Sequence, residues 1–237
     1  MSHSSRRDFL ITGGAAASAL IAAGMPRTVF AGGKWETIGK EAGITVTARH
    51  EKKRQFPTFR GTGRVKANIW DIIAVIQDAS KHTQWLHECS EAGMLKQVDE
   101  VTQVVYNRLD SPWPVKDRDV VLRGKIDFIN PDKEVKIRFR AINSSLKQVP
   151  ADVIRMPQLE GHWYLVAMGE DKTLVEYQVN ADPGGELPPW LVEQASKELP
   201  LVTLKNLRKQ VAKTKGNYDS FIATSKAKVD AALKQQG

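Results

Sequence analysis

The chain has one cysteine, Cys89, in 237 residues. No intramolecular disulfide can form, so stability has to come from a packed core. That excludes the small disulfide-stapled scaffolds common among secreted proteins. Long apolar runs are equally scarce. The one biased stretch is the N-terminus, Met1 to Ala31, and its apolar run, Ile11 to Ala23, is weakly apolar and shorter than the roughly 20 residues a membrane-spanning helix needs. G-x-S-x-G, G-x-G-x-x-G and P-loop motifs are missing, as are HExxH and CxxC. Their absence removes the signatures of a nucleophile elbow, a dinucleotide fold, an NTPase and a zinc protease. No run of like charge is longer than Lys52-Lys53-Arg54, and no basic stripe interleaves with aromatics. The usual footprint of nucleic-acid binding is therefore lacking.

The N-terminus is the first positive signal. Arg6-Arg7-Asp8-Phe9-Leu10 precedes the Ala- and Gly-rich stretch, and Val29-Phe30-Ala31 follows it with small residues at the two positions a signal peptidase reads. Residues 1–31 look like a twin-arginine export signal. The expectation is a soluble periplasmic or secreted monomer starting near Gly32. Twin-arginine export moves folded proteins, which suits a chain without disulfides. The alternative is an uncleaved N-terminal anchor; cleavage would remove three arginines and one aspartate and lower the formal charge from +8 to +6. That basic balance fits a solvated surface or transient contact with an anionic membrane.

The remaining chain, without repeats or a low-complexity linker, reads as one domain of α+β class. Ile44-Thr45-Val46-Thr47 and Phe59 to Val65 are short strands, the second with Gly61 and Gly63 suggesting a bend or bulge. Ala67 to Asp78 is helical, with Ile69, Ile72, Ile73 and Ile76 at spacings of three and four and Asn68 as cap. Thr102 to Leu109 is a strand. In Arg118 to Ile129, Val120, Leu122, Gly124, Ile126 and Phe128 share one face. The turn Asn130-Pro131-Asp132-Lys133 leads to Val135, Ile137, Phe139 and Ala141, alternating with Lys136, Arg138 and Arg140. This period-2 pattern describes an antiparallel hairpin with one wet face. Leu159 to Met168 and Thr173 to Ala181 form another pair. Pro188-Pro189 opens a long helix to about Lys213, and Tyr218 to Lys234 is helix-like. A long helix covering a strongly curved sheet leaves space between them, and a pocket of roughly 300 Å³ or more is expected there.

Three segments carry a resemblance: Trp85-Leu86-His87-Glu88-Cys89-Ser90-Glu91-Ala92, then Pro112-Trp113-Pro114-Val115-Lys116-Asp117-Arg118-Asp119-Val120-Val121, then Asp182-Pro183-Gly184-Gly185 with Leu187-Pro188-Pro189-Trp190-Leu191-Val192. In this order and spacing the chain resembles the START (steroidogenic acute regulatory protein-related lipid-transfer) family from about Trp35 to Lys213. The resemblance implies a helix-grip fold over 32–214, in which a curved antiparallel sheet wraps a long C-terminal helix around an apolar cavity. Residues 215–237 would be a helical extension. It also implies binding and carriage of a lipid such as a sterol or phospholipid. The alternative is a helix-grip enzyme acting on an apolar or aromatic substrate, which would need convergent acid–base residues in the cavity.

No catalytic residue, metal site or cofactor is identified. His82 and His87, five apart, do not share a helical face, and a buried inert thiol is the simplest reading of Cys89. Candidate ligand contacts are the aromatic residues Trp85, Tyr106, Trp163 and Tyr177, with Trp190, Leu191, Ala195 and Leu204 from the C-terminal helix. Arg118, a charge on an apolar strand face, would meet a lipid headgroup or pair with Glu160 or Glu176. The segment from Asp182 to Leu204 is the expected door, with Gly184-Gly185 as hinge and Pro200 as a kink. The loop from Asp110 to Lys116 is the alternative.

Overall fold

The computed structural model describes residues 33–52 and 54–234, without the side chains of 189, 190, 192–197 and 232–234. Residues 1–31, read from the sequence as an export signal, lie outside the described residues.

Strand β1 (Glu36–Glu41) turns into β2 (Ile44–Arg49) through Ala42 and Gly43, whose φ angles of 50° and 68° match a two-residue hairpin turn. Strand β3 (Thr58–Val65) leads to helix α1 (Ile69–Gln77) and a 3₁₀ turn (Ala79–Gln84). The Asn68 side chain accepts from the backbone N–H groups of Trp70 and Asp71, so it caps α1 as its sequence position suggests. Then follow β4 (Cys89–Asp99), β5 (Thr102–Leu109), β6 (Asp117–Asn130), β7 (Glu134–Ala141), β8 (Val153–Arg155), β9 (Gln158–Ala167) and β10 (Thr173–Asp182). Helices α2 (Pro189–Lys213) and α3 (Asp219–Lys234) close the described chain.

Nine strands run in the order β1-β2-β3-β10-β9-β7-β6-β5-β4, every neighbouring pair antiparallel. The short β8 lies parallel to the start of β6. Alternation sets the faces. Val120, Leu122 and Ile126 of β6, Val135 and Ile137 of β7, Trp163 and Leu165 of β9, and Val175, Tyr177 and Val179 of β10 all enter the central core. Helix α2 crosses this inner face, its stripe of Leu204, Leu207 and Val211 fully buried. Each such side chain contributes about 1.5–3 kcal/mol.

Gly61 and Gly63 make no bulge, because the register of β3 with both neighbours is unbroken. Their role is close approach of α2. A Cβ on Gly61 would lie 2.9 Å from Leu204 Cδ1 and 3.1 Å from Pro200 Cβ; one on Gly63 would lie 2.9 Å from Arg208 Nη2. Pro200 therefore seats the helix on β3, and α2 runs through it as one helix from Pro189 to Lys213. Helix α3 packs against α1, with the Tyr218 hydroxyl donating to Asp78 Oδ2 at 2.9 Å.

Candidate functional site

Between the inner sheet face and α2 lies a cavity of about 130 Å³. Trp85, Val105, Leu122, Ile137, Trp163 and Tyr177 form much of its wall, and Leu199 contributes from α2. The expectation of a sheet-and-helix lining holds, but the volume is below the roughly 300 Å³ of ordinary ligand pockets. The reason is the size of the aromatic side chains filling the space. Trp163 stacks on Tyr177 at 4.1 Å, Trp85 meets Trp163 edge-on at 5.8 Å, and Phe139 lies 6.1 Å from Tyr177. A larger hollow of about 510 Å³ sits elsewhere, on the outer sheet face. Its wall includes Arg49, Arg123, Lys136, Arg138 and Arg140, so it is a wet, basic surface rather than an apolar pocket.

Trp85, Trp163 and Tyr177 thus come together as read from the sequence. Tyr106 does not join them. It lies on the outer face with Val104 and Val121, its ring 4.3 Å beneath the Lys147 ammonium. The pairing Val105↔Leu122 and Asn107↔Val120 turns Val105, Asn107 and Leu109 inward, which forces Tyr106 outward. Leu204 is buried against Gly61 in the α2–β3 seam rather than in the cavity wall. Leu191 is half-buried near the start of α2, outside the described lining. The side chains of Trp190 and Ala195 lie outside the described residues.

The acid pairing offered for Arg118 is not found. Arg118 is buried, but neither glutamate reaches it: Glu160 pairs with Arg54, and Glu176 with Arg60 and His162. Its guanidinium instead donates to three carbonyls, those of Lys116 (2.5 Å), Gly184 (3.2 Å) and Pro183 (3.4 Å). Burial lowers its pKa from the ordinary arginine range. Arg118 therefore ties the end of the 110–116 loop to the glycine turn that precedes α2. The arginine–acid contact at this corner belongs to the next residue. Asp119, with no exposed surface, accepts from Arg155 Nε at 2.7 Å and Nη2 at 3.0 Å.

The polar end of the cavity was not foreseen. His82 places Nε2 3.0 Å from the Ile76 carbonyl and Nδ1 3.1 Å from the Asn107 side chain, and Gln103 donates to the Gln77 carbonyl at 3.3 Å. Gln103 and Asn107 are legible in principle, as the polar residues on the inward face of β5 once that strand is paired with β6. Among the described residues no group of three or more His, Cys, Asp and Glu is placed to hold a metal ion. Burial, reinforced by the charge of Asp110, pushes the Cys89 thiol up to about 12. Thiolate is the reactive form, so modification at pH 8 by an aromatic disulfide reagent should run about three orders of magnitude slower than for a free cysteine. Full exposure in guanidinium should restore it; labelling of the folded chain within tenfold of the free rate would contradict this environment.

The START domain family model matches residues 31–215. The chain belongs to the START domain family. It is 32% identical over 181 residues to an uncharacterised protein of Pseudomonas aeruginosa, covering 76% of this chain and 87% of that one. It is 24% identical over 198 residues to the human phosphatidylcholine transfer protein, covering 82% and 89% respectively. Among solved structures, a STAR-related lipid transfer protein fragment from Xanthomonas axonopodis superposes with a TM-score of 0.68 at 31% identity, covering 75% of this chain and 98% of that one. The sheet curved around α2 is the helix-grip arrangement of these START domain structures.

Proposed function

We propose that this START domain binds one apolar lipid between its sheet and α2 and carries it between membranes. The observation that carries this reading is the aromatic-lined cavity closed by α2, in a chain whose relatives include a phosphatidylcholine transfer protein and a STAR-related lipid transfer protein. Carriage needs an apolar enclosure and a way in, but no reactive group. A catalyst would need convergent acid–base residues. Among the described lining residues the titratable side chains are His82 and Tyr177, and both His82 nitrogens face protein partners. We therefore read the chain as a carrier rather than an enzyme.

At about 130 Å³ the cavity is smaller than any membrane lipid, so loading requires the wall to part. The moving part in this reading is the stretch from the glycine turn through the first half of α2. Gly184 and Gly185 both sit at φ 66°, a conformation glycine adopts freely. Beside it, the 110–116 loop exposes 92% of Trp113. An exposed indole next to a door suits the membrane interface, where its ring buries apolar surface and keeps its N–H wet. Trp113→Ala should weaken binding to anionic vesicles about tenfold in a flotation assay, with the melting temperature unchanged. Equal binding by both proteins would place membrane contact elsewhere.

The carrier would work outside the cytoplasm, as a monomer exported through its twin-arginine segment. Replacing Arg6 and Arg7 by lysine should hold the precursor in the cytoplasm; normal export of that variant would remove this part of the proposal.

A further inference from the structure

The hollow of about 510 Å³ on the outer sheet face has a charge pattern of its own. Seven arginine and lysine side chains and two glutamates line it, a surplus of five positive charges. Residues 32–237 carry a formal charge of +6, so nearly the whole excess of the chain is gathered at this one place. A generally basic, solvated surface would spread it.

The strand register sets where that charge falls. On the outward face of the β6–β7 hairpin, Arg123 lies opposite Arg140 and Lys125 opposite Arg138. Like charges directly opposite on neighbouring strands destabilise a sheet. The next rung of the same hairpin sets Asp127 opposite Lys136, the favourable arrangement. The acids nearby are taken. Glu51 pairs with Arg49 and Arg54, Asp127 with Arg138, and Glu160, opposite Arg140 on β9, with Arg54. Among the described residues no carboxylate forms an ion pair with Arg123, Lys125 or Arg140, and all three are exposed. The half-buried Gln178 amide also lines the hollow, with no hydrogen-bond partner among the described residues.

Opposed residues lie about 5 Å apart and alternate residues of one strand about 7 Å apart, so the two rungs set four cations around a patch of that size. An anion laid across the rungs turns their repulsion into attraction. A phosphoryl group carries up to about two charges and three acceptor oxygens, so one group meets several of these donors at once, and an arginine fork grips it with paired N–H groups. A carboxylate, with one charge, neutralises a single cation.

We infer that the outer hollow is a second binding site, separate from the lipid cavity, for an anion bearing phosphoryl groups, held by Arg123 and Arg140 together with Lys125 and Arg138. The inference goes beyond lipid carriage and does not depend on it. A dissolved phosphate compound and a lipid headgroup are two sources of this chemistry.

Tripolyphosphate in solution and phosphatidate in phosphatidylcholine vesicles separate the two sources. The full chain is titrated with the first by calorimetry and floated with the second, at low salt because exposed charges are screened otherwise. Arg123→Gln/Arg140→Gln should weaken binding at least tenfold, the loss expected when two charged donors are removed. Lys40→Gln/Lys66→Gln removes the same charge from exposed positions outside the hollow and should change binding less than twofold. A tenfold loss for tripolyphosphate supports the site with a dissolved ligand; a tenfold loss of flotation alone supports it with a headgroup. Binding of neither probe by the wild type, binding that survives Arg123→Gln/Arg140→Gln, or an equal loss in the lysine pair overturns the inference. Without any anion, the arginine double variant should melt at or above the wild-type temperature, because it relieves one repelling rung. Failure to fold, or a melting temperature lower by several degrees, would show that these arginines serve the sheet, and would overturn the inference as well.

Discussion

Arg155→Ala should lower the unfolding free energy by about 3–5 kcal/mol, the cost of leaving a buried carboxylate without its partner. Asp119 has no exposed surface and takes both hydrogen bonds of the Arg155 fork, while its backbone carbonyl accepts from Met156 N at 2.9 Å. The pair sits where β8 joins β6, so its loss loosens the corner from which Arg118 reaches the glycine turn. For a domain of this size the change corresponds to a fall of roughly 10 °C in melting temperature. An Asp119→Leu/Arg155→Leu double variant should recover part of that loss, since neither charge is then stranded. Calorimetry of the three proteins decides: a loss under 1 kcal/mol in Arg155→Ala would mean that water reaches the carboxylate.

Arg118→Ala is the second large effect, and it is kinetic. Three carbonyls at the hinge and loop lose their donor. A hydrogen bond from a charged group contributes about 1.5–3 kcal/mol, so losing even one that must break on opening should speed opening about tenfold. Lipid exchange between labelled vesicles should rise by that factor, while equilibrium selectivity for the lipid stays near the wild type. A headgroup contact would behave otherwise, weakening binding without faster opening. If exchange is unchanged although the melting temperature falls, the Arg118 tie is structural only and the door lies elsewhere.

Much of this architecture was legible because the strands alternate cleanly. Val120, Leu122, Ile126, Val135, Ile137, Trp163 and Leu165 all occupy the inner face that period two assigns them. The failures share a cause. In β5, Val104-Val105-Tyr106 is apolar on both faces, so alternation cannot say which side faces in, and Tyr106 was placed with the cavity. Only the register with β6 resolves it. Glu160 and Glu176, the acids the sequence offers Arg118, pair elsewhere, whereas the chain satisfies Arg118 with the Lys116 carbonyl and two carbonyls from a distant turn, contacts with no periodic signal. Gly61 and Gly63 read as a bend because glycine reports missing volume, and the sequence does not say that a helix fills it. Cavity size escaped for a related reason: composition reveals the aromatics but not how tightly Trp163 and Tyr177 stack.

Gly124 offers the most direct test of lipid carriage in this cavity. It lies on the inner face of β6 and lines the cavity, and a Cβ built on it meets nothing closer than 4.0 Å. Gly124→Phe should therefore fill the space with the fold intact. Native mass spectrometry after incubation with vesicles is the measurement, with circular dichroism and melting temperature as controls. One lipid per wild-type chain, and at least tenfold less in Gly124→Phe at unchanged fold, is the predicted result. A folded Gly124→Phe that loads lipid as the wild type does would contradict it, because the lipid would then be held somewhere other than between the sheet and α2.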